Sequence, residues 1–183
     1  MWPLTSRSLI VIAIICTQAC DAPWAGPSVP DGSRAVNLVL LNGQGPFDMV
    51  GPAILASTSV SELSDQVIAR ARAQLLSCAS NQYRQDPCWK QQADVPGRVY
   101  VAVITANECN RAVKESTVLS QHTLYFIHWI GNPQGVCNAA MRQPNWRLFY
   151  VSRSSMPNSG TLTVRLQLQG DEQGNFDSQV DLS

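Results

Sequence analysis

Residues 161–182, TLTVRLQLQGDEQGNFDSQVDL, decide the fold class of this chain because apolar and polar side chains alternate along them. The apolar positions are Leu162, Val164, Leu166, Leu168, Phe176, Val180 and Leu182. A two-residue period on both sides of the glycine-bounded segment 170–174 predicts an antiparallel β-hairpin with one apolar face. An isolated hairpin is marginal in water, so the rest of the chain must cover that face.

Further strands are predicted where short apolar runs lie between turn-forming residues. These runs are residues 35–41, 99–105, 113–119, 123–130 and 147–153. Residues 99–105 and 123–130 are apolar on both faces, which is typical of central strands. Lys114 and Glu115 place residues 113–119 nearer the edge of a sheet.

One helix is predicted within residues 59–78. Ser59 and Glu62 have the spacing of a capping box, and Leu63 and Val67 begin an apolar series at helical spacing. Alternation within the same segment leaves a strand as the alternative. About seven short strands with one helix predict a mainly β, antiparallel β-sandwich-like domain, or alternatively an α+β sheet with a helix packed on it. We expect a single domain over residues 35–183.

The amino terminus has the pattern of a secretory signal, with Arg7 as its basic residue and residues 9–16 as its apolar segment. The sequence Thr17-Gln18-Ala19-Cys20 resembles the lipobox of bacterial lipoproteins, although Thr17 occupies a position at which that family usually has leucine. The resemblance implies cleavage after residue 19 and lipid attachment to Cys20, which would anchor the chain to a membrane. Residues 20–34 are rich in proline and glycine and are predicted to be a tether.

Cysteine parity also favours lipidation of Cys20. The chain has six cysteines, and loss of Cys16 with the signal and lipidation of Cys20 would leave an even number in an oxidising compartment. An unmodified Cys20, in a protein that is simply secreted, would instead be an unpaired thiol. The four remaining cysteines are Cys78, Cys88, Cys109 and Cys137.

Those four cysteines permit three pairings, of which we favour Cys78–Cys88 together with Cys109–Cys137. The first bridge closes a short polar loop. The second is favoured on the expectation that the strands ending near Cys109 and Cys137 are sheet neighbours. Since no Cys-x-x-Cys spacing occurs among the four, a structural zinc site is not expected.

Composition and motifs exclude several classes of function but do not assign one. Formal net charge is zero and charged residues make up 14% of the chain, so no basic surface for nucleic acid is expected. None of the common hydrolase or phosphate-binding motifs is present, and the two histidines, His122 and His128, are too far apart on an extended strand for one metal. A hydrolase would need one of them within hydrogen-bond distance of Ser, Asp or Glu in an open cleft.

Trp89 and Trp146 are the candidate ligand-binding residues, because each lies in a polar, turn-rich segment where an exposed ring could stack on a protein or glycan. No cofactor or metal is implied. The sequence predicts an extracytoplasmic, lipid-anchored binding or structural module of the cell envelope. The alternatives are a secreted inhibitor-like domain that presents a disulfide-bounded loop, and a secreted hydrolase.

Overall fold

A computed structural model describes residues 27–46, 51–70, 93–105, 111–133 and 145–183. All six cysteines and Trp89 lie outside these ranges, so the predicted lipidation and disulfide sites and one candidate binding residue lie there too. Within the described ranges, no helix is long and apolar enough to cross a membrane.

The described residues form two β-sheets and one helix, confirming the predicted mainly β class. In chain order the elements are β1 (Arg34–Ala35), β2 (Val39–Pro46), β3 (Ala53–Ser57), α1 (Val60–Ile68), β4 (Arg98–Thr105), β5 (Arg111–Ser120), β6 (Thr123–Pro133), β7 (Asn145–Ser152), β8 (Thr161–Gly170) and β9 (Gly174–Asp181). The first sheet has the strand order β1-β5-β6-β8-β9, and the second has the order β2-β7-β4-β3. Neighbouring strands are antiparallel except for β6 and β8, which run parallel.

The predicted hairpin is present as β8 and β9. Leu162, Val164 and Leu166 are 0% exposed, whereas the alternate positions on β8 are partly or fully exposed. Gly170 ends β8 at a φ of +90°, a conformation that glycine adopts without strain. The apolar face of the hairpin is therefore buried, as the alternation predicts.

The main core lies between the two sheets. The first sheet contributes Leu119, Leu124, Phe126, Leu162, Val164, Leu166, Leu168, Val180 and Leu182, and the second contributes Ile54, Ala56, Val99, Val101, Val103 and Val151. Inward-facing residues from both sheets interdigitate, as in other β-sandwiches. The two layers meet at one side through β3 and β9, where the Ala56 N–H donates to the Ser178 hydroxyl at 3.1 Å.

Helix α1 covers the outer face of the second sheet and forms a smaller core there. Ser59 caps the helix by accepting from the Glu62 N–H, as predicted, and Leu63 is 0% exposed against the sheet. The outward-facing side chains of β4, including Tyr100 and Ile104, pack in this second core. Residues 99–105 are therefore apolar on both faces because each face of β4 has its own hydrophobic partner.

The strand prediction differs from the structure at two places. Residues 35–41 were expected to form one strand, but β1 belongs to the first sheet and β2 to the second, with the chain crossing between them at 36–38. β3, whose five residues are all buried, was not predicted. A run this short cannot be told from a segment of buried helix by its periodicity.

The basis for the Cys109–Cys137 pairing also needs correction. The strands that end before these cysteines are β4 and β6, and they lie in different sheets rather than side by side. Arg111, at the start of β5, is instead the antiparallel partner of Pro133, at the end of β6. The segments that contain the two cysteines therefore leave from neighbouring strand ends, through β5 rather than β4.

Part of the predicted tether lies against the domain. The Ser28 N–H donates to Gln169 Oε1, and Gln169 Nε2 donates to the Ser28 carbonyl, each at 2.7 Å. Arg34 donates to the Ser155 carbonyl at 2.8 Å. Two residues assigned to the tether, Ser28 and Arg34, therefore contact the domain.

Candidate functional site

A cluster of charged side chains lies at one end of the sandwich, between the two sheets. Glu115 on β5 and His128 on β6 are direct cross-strand partners, and His128 Nδ1 is 2.9 Å from Glu115 Oε1. An ionised carboxylate only accepts hydrogen bonds, so Nδ1–H is the donor. The His128 side chain is 6% exposed and shares the inward face of β6 with Leu124 and Phe126.

Arg147 joins this pair from the opposite sheet. It lies on β7, and its two terminal nitrogens each donate to one oxygen of Glu115, with Nη1 2.7 Å from Oε2. This two-point contact is the strongest geometry for an arginine–carboxylate pair. The side chains are 31% exposed for Arg147 and 42% for Glu115. The ion pair therefore connects the two sheets where the interior of the sandwich reaches solvent.

The surroundings of Glu115 keep its carboxyl group ionised. Burial by itself raises the pKa of Glu115, but hydrogen bonds from Arg147 and His128, together with their charges, outweigh it and lower the pKa to about 2. At neutral pH the Glu115–Arg147 pair carries one negative and one positive charge.

A pocket of about 150 Å³ adjoins the cluster. It is lined by Leu38, Val103, Glu115, Ser116, Thr117, Phe126, Ile127, His128, Arg147, Phe149 and Leu166. A buried apolar cavity of roughly 150 Å³ is large enough for benzene, whereas pockets for whole drug-sized ligands are roughly 300–1,000 Å³. The pocket therefore fits one side-chain-sized group rather than a complete cofactor.

The pocket reaches an incompletely covered strand edge. β1 pairs with β5 only at Val118 and Leu119, and the Val36 N–H then donates to the Thr117 carbonyl at 3.1 Å. Backbone groups alternate in direction along an antiparallel strand, so those of Val113 and Glu115 face the same side as those of Thr117. In the described part of the chain no strand pairs with the main chain of Val113 or Glu115 on that side, and we call these two positions the open edge.

Exposed apolar side chains lie close to this opening. Val113 on β5 is 40% exposed, and Leu40, the cross-strand partner of the pocket residue Phe149, is 57% exposed. Large side chains exposed next to a pocket with polar groups are typical of a binding surface.

A second ion pair provides a reference for the cluster. Arg165 and Asp177 are cross-strand partners on β8 and β9, with nitrogen–oxygen distances of 2.7 and 2.6 Å. Their side chains are 33% and 42% exposed, close to the values for Arg147 and Glu115. Neither residue lines the pocket. The Arg165 pair is thus matched to the Arg147 pair in chemistry and exposure but differs in location.

The predicted site residues are placed differently from the cluster. Trp146 is 1% exposed and packs in the core beneath α1, so its ring is not on the surface where we expected it. Trp89 and the cysteines at 20, 78, 88, 109 and 137 lie outside the described residues. His122 is exposed in the turn between β5 and β6, six residues before His128, which lies in the middle of β6.

Sequence reasoning did not find the partners of His128. Glu115 and Arg147 are brought to it by strand pairing and sheet packing, and no short motif joins the three positions. One signal was available: Glu115 occupies the face of its strand that also carries Leu119, an apolar residue. A charged residue on an inward face indicates a buried partner.

No protein-family model, curated protein or solved structure matches the chain. The role of the pocket is therefore inferred from its residues and their geometry.

Proposed function

We propose that this protein is an extracytoplasmic, lipid-anchored binding module of the cell envelope whose ligand enters the pocket beside Glu115, His128 and Arg147. The observation that carries the proposal is the combination of apolar walls with a charged, hydrogen-bonded cluster in one concave site. Such combinations are the usual form of a binding site for small groups.

The cluster has no obvious purpose in stability alone. A partly buried ion pair contributes less net free energy than its attraction alone would give, because removing its charges from water offsets much of that attraction. Apolar residues at the three positions would simply extend the core that Phe126 and Phe149 already form nearby. Placing these charges at the mouth of a cavity instead favours recognition of a ligand that has both apolar and polar parts.

The anchor proposal rests on the amino-terminal sequence. Lipid on Cys20 would attach the chain to a membrane. Ser28 bonds to Gln169 of β8 in the first sheet, and Arg34 of β1 bonds to Ser155, which follows β7. A fully extended segment of the length of residues 20–26 would reach at most about 25 Å. The module would therefore operate close to the membrane surface rather than at the end of a long tether.

A secreted hydrolase is the second candidate function, because the hydrogen bond between His128 and Glu115 meets the geometric condition set by the sequence. Ser116 and Thr117 line the same pocket and carry hydroxyl groups. In this alternative Glu115 would orient His128 as a general base. Hydrolysis of p-nitrophenyl acetate that is lost in both His128→Gln and Thr117→Val would support it.

Binding of a neutral, benzene-sized probe tests the proposed function. We expect benzyl alcohol to shift the backbone amide NMR signals of residues 115–117 and 126–128 in the full chain. Leu38→Trp, which fills the pocket from its half-buried rim, should abolish these shifts. The proposal fails when saturating benzyl alcohol leaves the signals unchanged, or when the shifts persist in Leu38→Trp.

A further inference from the structure

We propose that the ligand is an extended polypeptide segment, which adds as a strand to the open edge of β5 and places one apolar side chain in the pocket. This inference rests on the proposed function and specifies the chemical class of its ligand.

Strand addition follows from the backbone at the open edge. The main-chain N–H and C=O groups of Val113 and Glu115 face the side of β5 that β1 leaves uncovered. A row of outward-facing donors and acceptors is a template for an additional strand. An incoming strand would continue the ladder that ends where the Val36 N–H bonds to the Thr117 carbonyl.

Other strand edges of the described sheets are less suited to this role. β2 borders the second sheet, but its pairing with β7 has register shifts at two places and it ends at Pro46. Bulges and proline both disfavour strand addition. The edge of β3 lies against β9, where the Ala56 N–H bonds to Ser178. The β5–β6 pairing has one register shift, between Arg111 and Val113, and is regular from Val113 to Ser120, so β5 offers the more regular edge over that stretch.

The pocket adds side-chain selectivity to the main-chain contacts. Its volume of about 150 Å³ accommodates a group of benzene size, such as a phenylalanine ring. Glu115, whose main chain faces the open edge, also lines the pocket. A peptide paired with β5 therefore runs past the mouth of the pocket, so that one of its inward-facing side chains can enter.

The charges of the cluster favour a neutral ligand group. Arg147 has five N–H donors. Among the described residues two of these donors bond to Glu115, so three remain for acceptors on a ligand. A carboxylate at this position would be repelled by Glu115, and an ammonium group by Arg147. A main-chain carbonyl is a neutral acceptor, which Arg147 can bind without disturbing its pairing with Glu115.

The test uses three blocked peptides and the full chain in detergent micelles. The probe is Ac-Thr-Val-Phe-Val-Thr-amide. One control peptide has aspartate in place of phenylalanine, and the other carries N-methyl groups on alternate amides, which removes ladder hydrogen bonds. The readouts are affinity and the hydrogen-exchange rates of the Val113 and Glu115 amides. We expect the probe to slow both rates at least tenfold, and both control peptides to leave them unchanged.

Variants separate the contributions of edge, pocket and cluster. Val113→Pro removes one outward-facing donor and should weaken binding of the probe peptide about fivefold, because one main-chain hydrogen bond is lost. Leu38→Trp should abolish selectivity for phenylalanine over aspartate. Arg147→Gln should weaken binding about tenfold, since a hydrogen bond to a charged donor is stronger. Arg165→Gln, the matched control, should leave it unchanged.

Several results would overturn the inference. The first is probe binding without slower exchange at Val113 and Glu115. The second is slow exchange of these amides in the absence of peptide, together with a concentration-dependent dimer in analytical ultracentrifugation. That result would mean that a second copy of the chain occupies the edge. When benzyl alcohol binds in the pocket but the peptide does not bind, the peptide inference fails and the proposed function stands. When neither binds, both fail.

Discussion

Gly170 lies directly against the backbone of Ile130, so that a Cβ atom on Gly170 would collide with the Ile130 carbonyl group. The same carbonyl accepts a hydrogen bond from the Asp171 N–H at 3.0 Å. The turn between β8 and β9 is thereby attached to the end of β6. This contact links the hairpin to the strand that carries His128.

Gly170→Ala should therefore lower the free energy of unfolding by about 3 kcal/mol or more, since it combines a backbone collision with a φ of +90°. Gly160 is the matched control, because its φ is +92° and a Cβ there would meet nothing within 4 Å. Gly160→Ala should cost only about 1–2 kcal/mol. Equal losses in urea denaturation would show that the Ile130 contact does not matter.

The lowered pKa of Glu115 predicts how the free energy of unfolding depends on pH. Its folded pKa of about 2 is below the ordinary value of 4.5, so its contribution is complete above pH 4.5 and is lost as the pH falls towards 2. Water screens a carboxylate that is 42% exposed, so we expect a contribution of about 1–2 kcal/mol.

Urea denaturation of the wild type and Glu115→Gln at pH 6 and pH 3 measures this contribution. The difference in free energy of unfolding between the two proteins should shift by about 1 kcal/mol in favour of the wild type at pH 6, because part of the contribution remains at pH 3. Asp177 titrates in both proteins and cancels in the comparison. A difference that does not change with pH would contradict the pairing of Glu115 with Arg147 and His128.

Gln121 offers a stabilising substitution. It lies in the turn between β5 and β6 with a φ of +52°, where a side chain is unfavourable, and it is exposed. Gln121→Gly should raise the free energy of unfolding by about 1 kcal/mol, because glycine adopts this conformation without strain. Thermal denaturation would show the gain as a higher Tm, and a lower Tm would mean that the turn has a different backbone conformation.

Leu63 tests the packing of α1 on the second sheet. It is 0% exposed, so Leu63→Ala should lower the free energy of unfolding by about 2–5 kcal/mol. Ile68, on the same helix, is 36% exposed and serves as the control, with an expected loss below about 1.5 kcal/mol for Ile68→Ala. Similar losses for the two variants would argue against this orientation of the helix.

The fold was predictable from the sequence where the periodicity was strong. Alternation over residues 161–182 is sufficient to predict the β8–β9 hairpin, and the doubly apolar run at 99–105 is sufficient to predict a central strand. The parallel pairing of β6 with β8 was not predictable, because β7, which lies between them in sequence, belongs to the other sheet. Sequence order alone does not assign strands to sheets.

The candidate site was less predictable for the same reason. His128 was identified, but Glu115 reaches it through strand pairing and Arg147 through packing of the opposite sheet. Trp146 was expected on the surface because Pro144 and Asn145 indicated a turn. In the structure β7 starts at Asn145, and alternation then places Trp146 on the helix side and Arg147 on the pocket side.

The predicted disulfides can be tested by peptide mapping. Arg111 and Pro133 are antiparallel partners, but Cys109 and Cys137 lie outside the described residues, so their pairing stays a prediction. Peptide mapping without reduction should recover Cys109–Cys137 and Cys78–Cys88. Recovery of Cys78 linked to Cys109 would contradict the predicted pairing.

The most direct test of an anchored, disulfide-containing envelope module is the intact mass of the protein from its native host, before and after reduction. We expect a mature chain that starts at Cys20, carries lipid on that residue, and gains two hydrogen atoms for each of two bridges on reduction. A chain that retains Met1 and has all its thiols free would contradict the account.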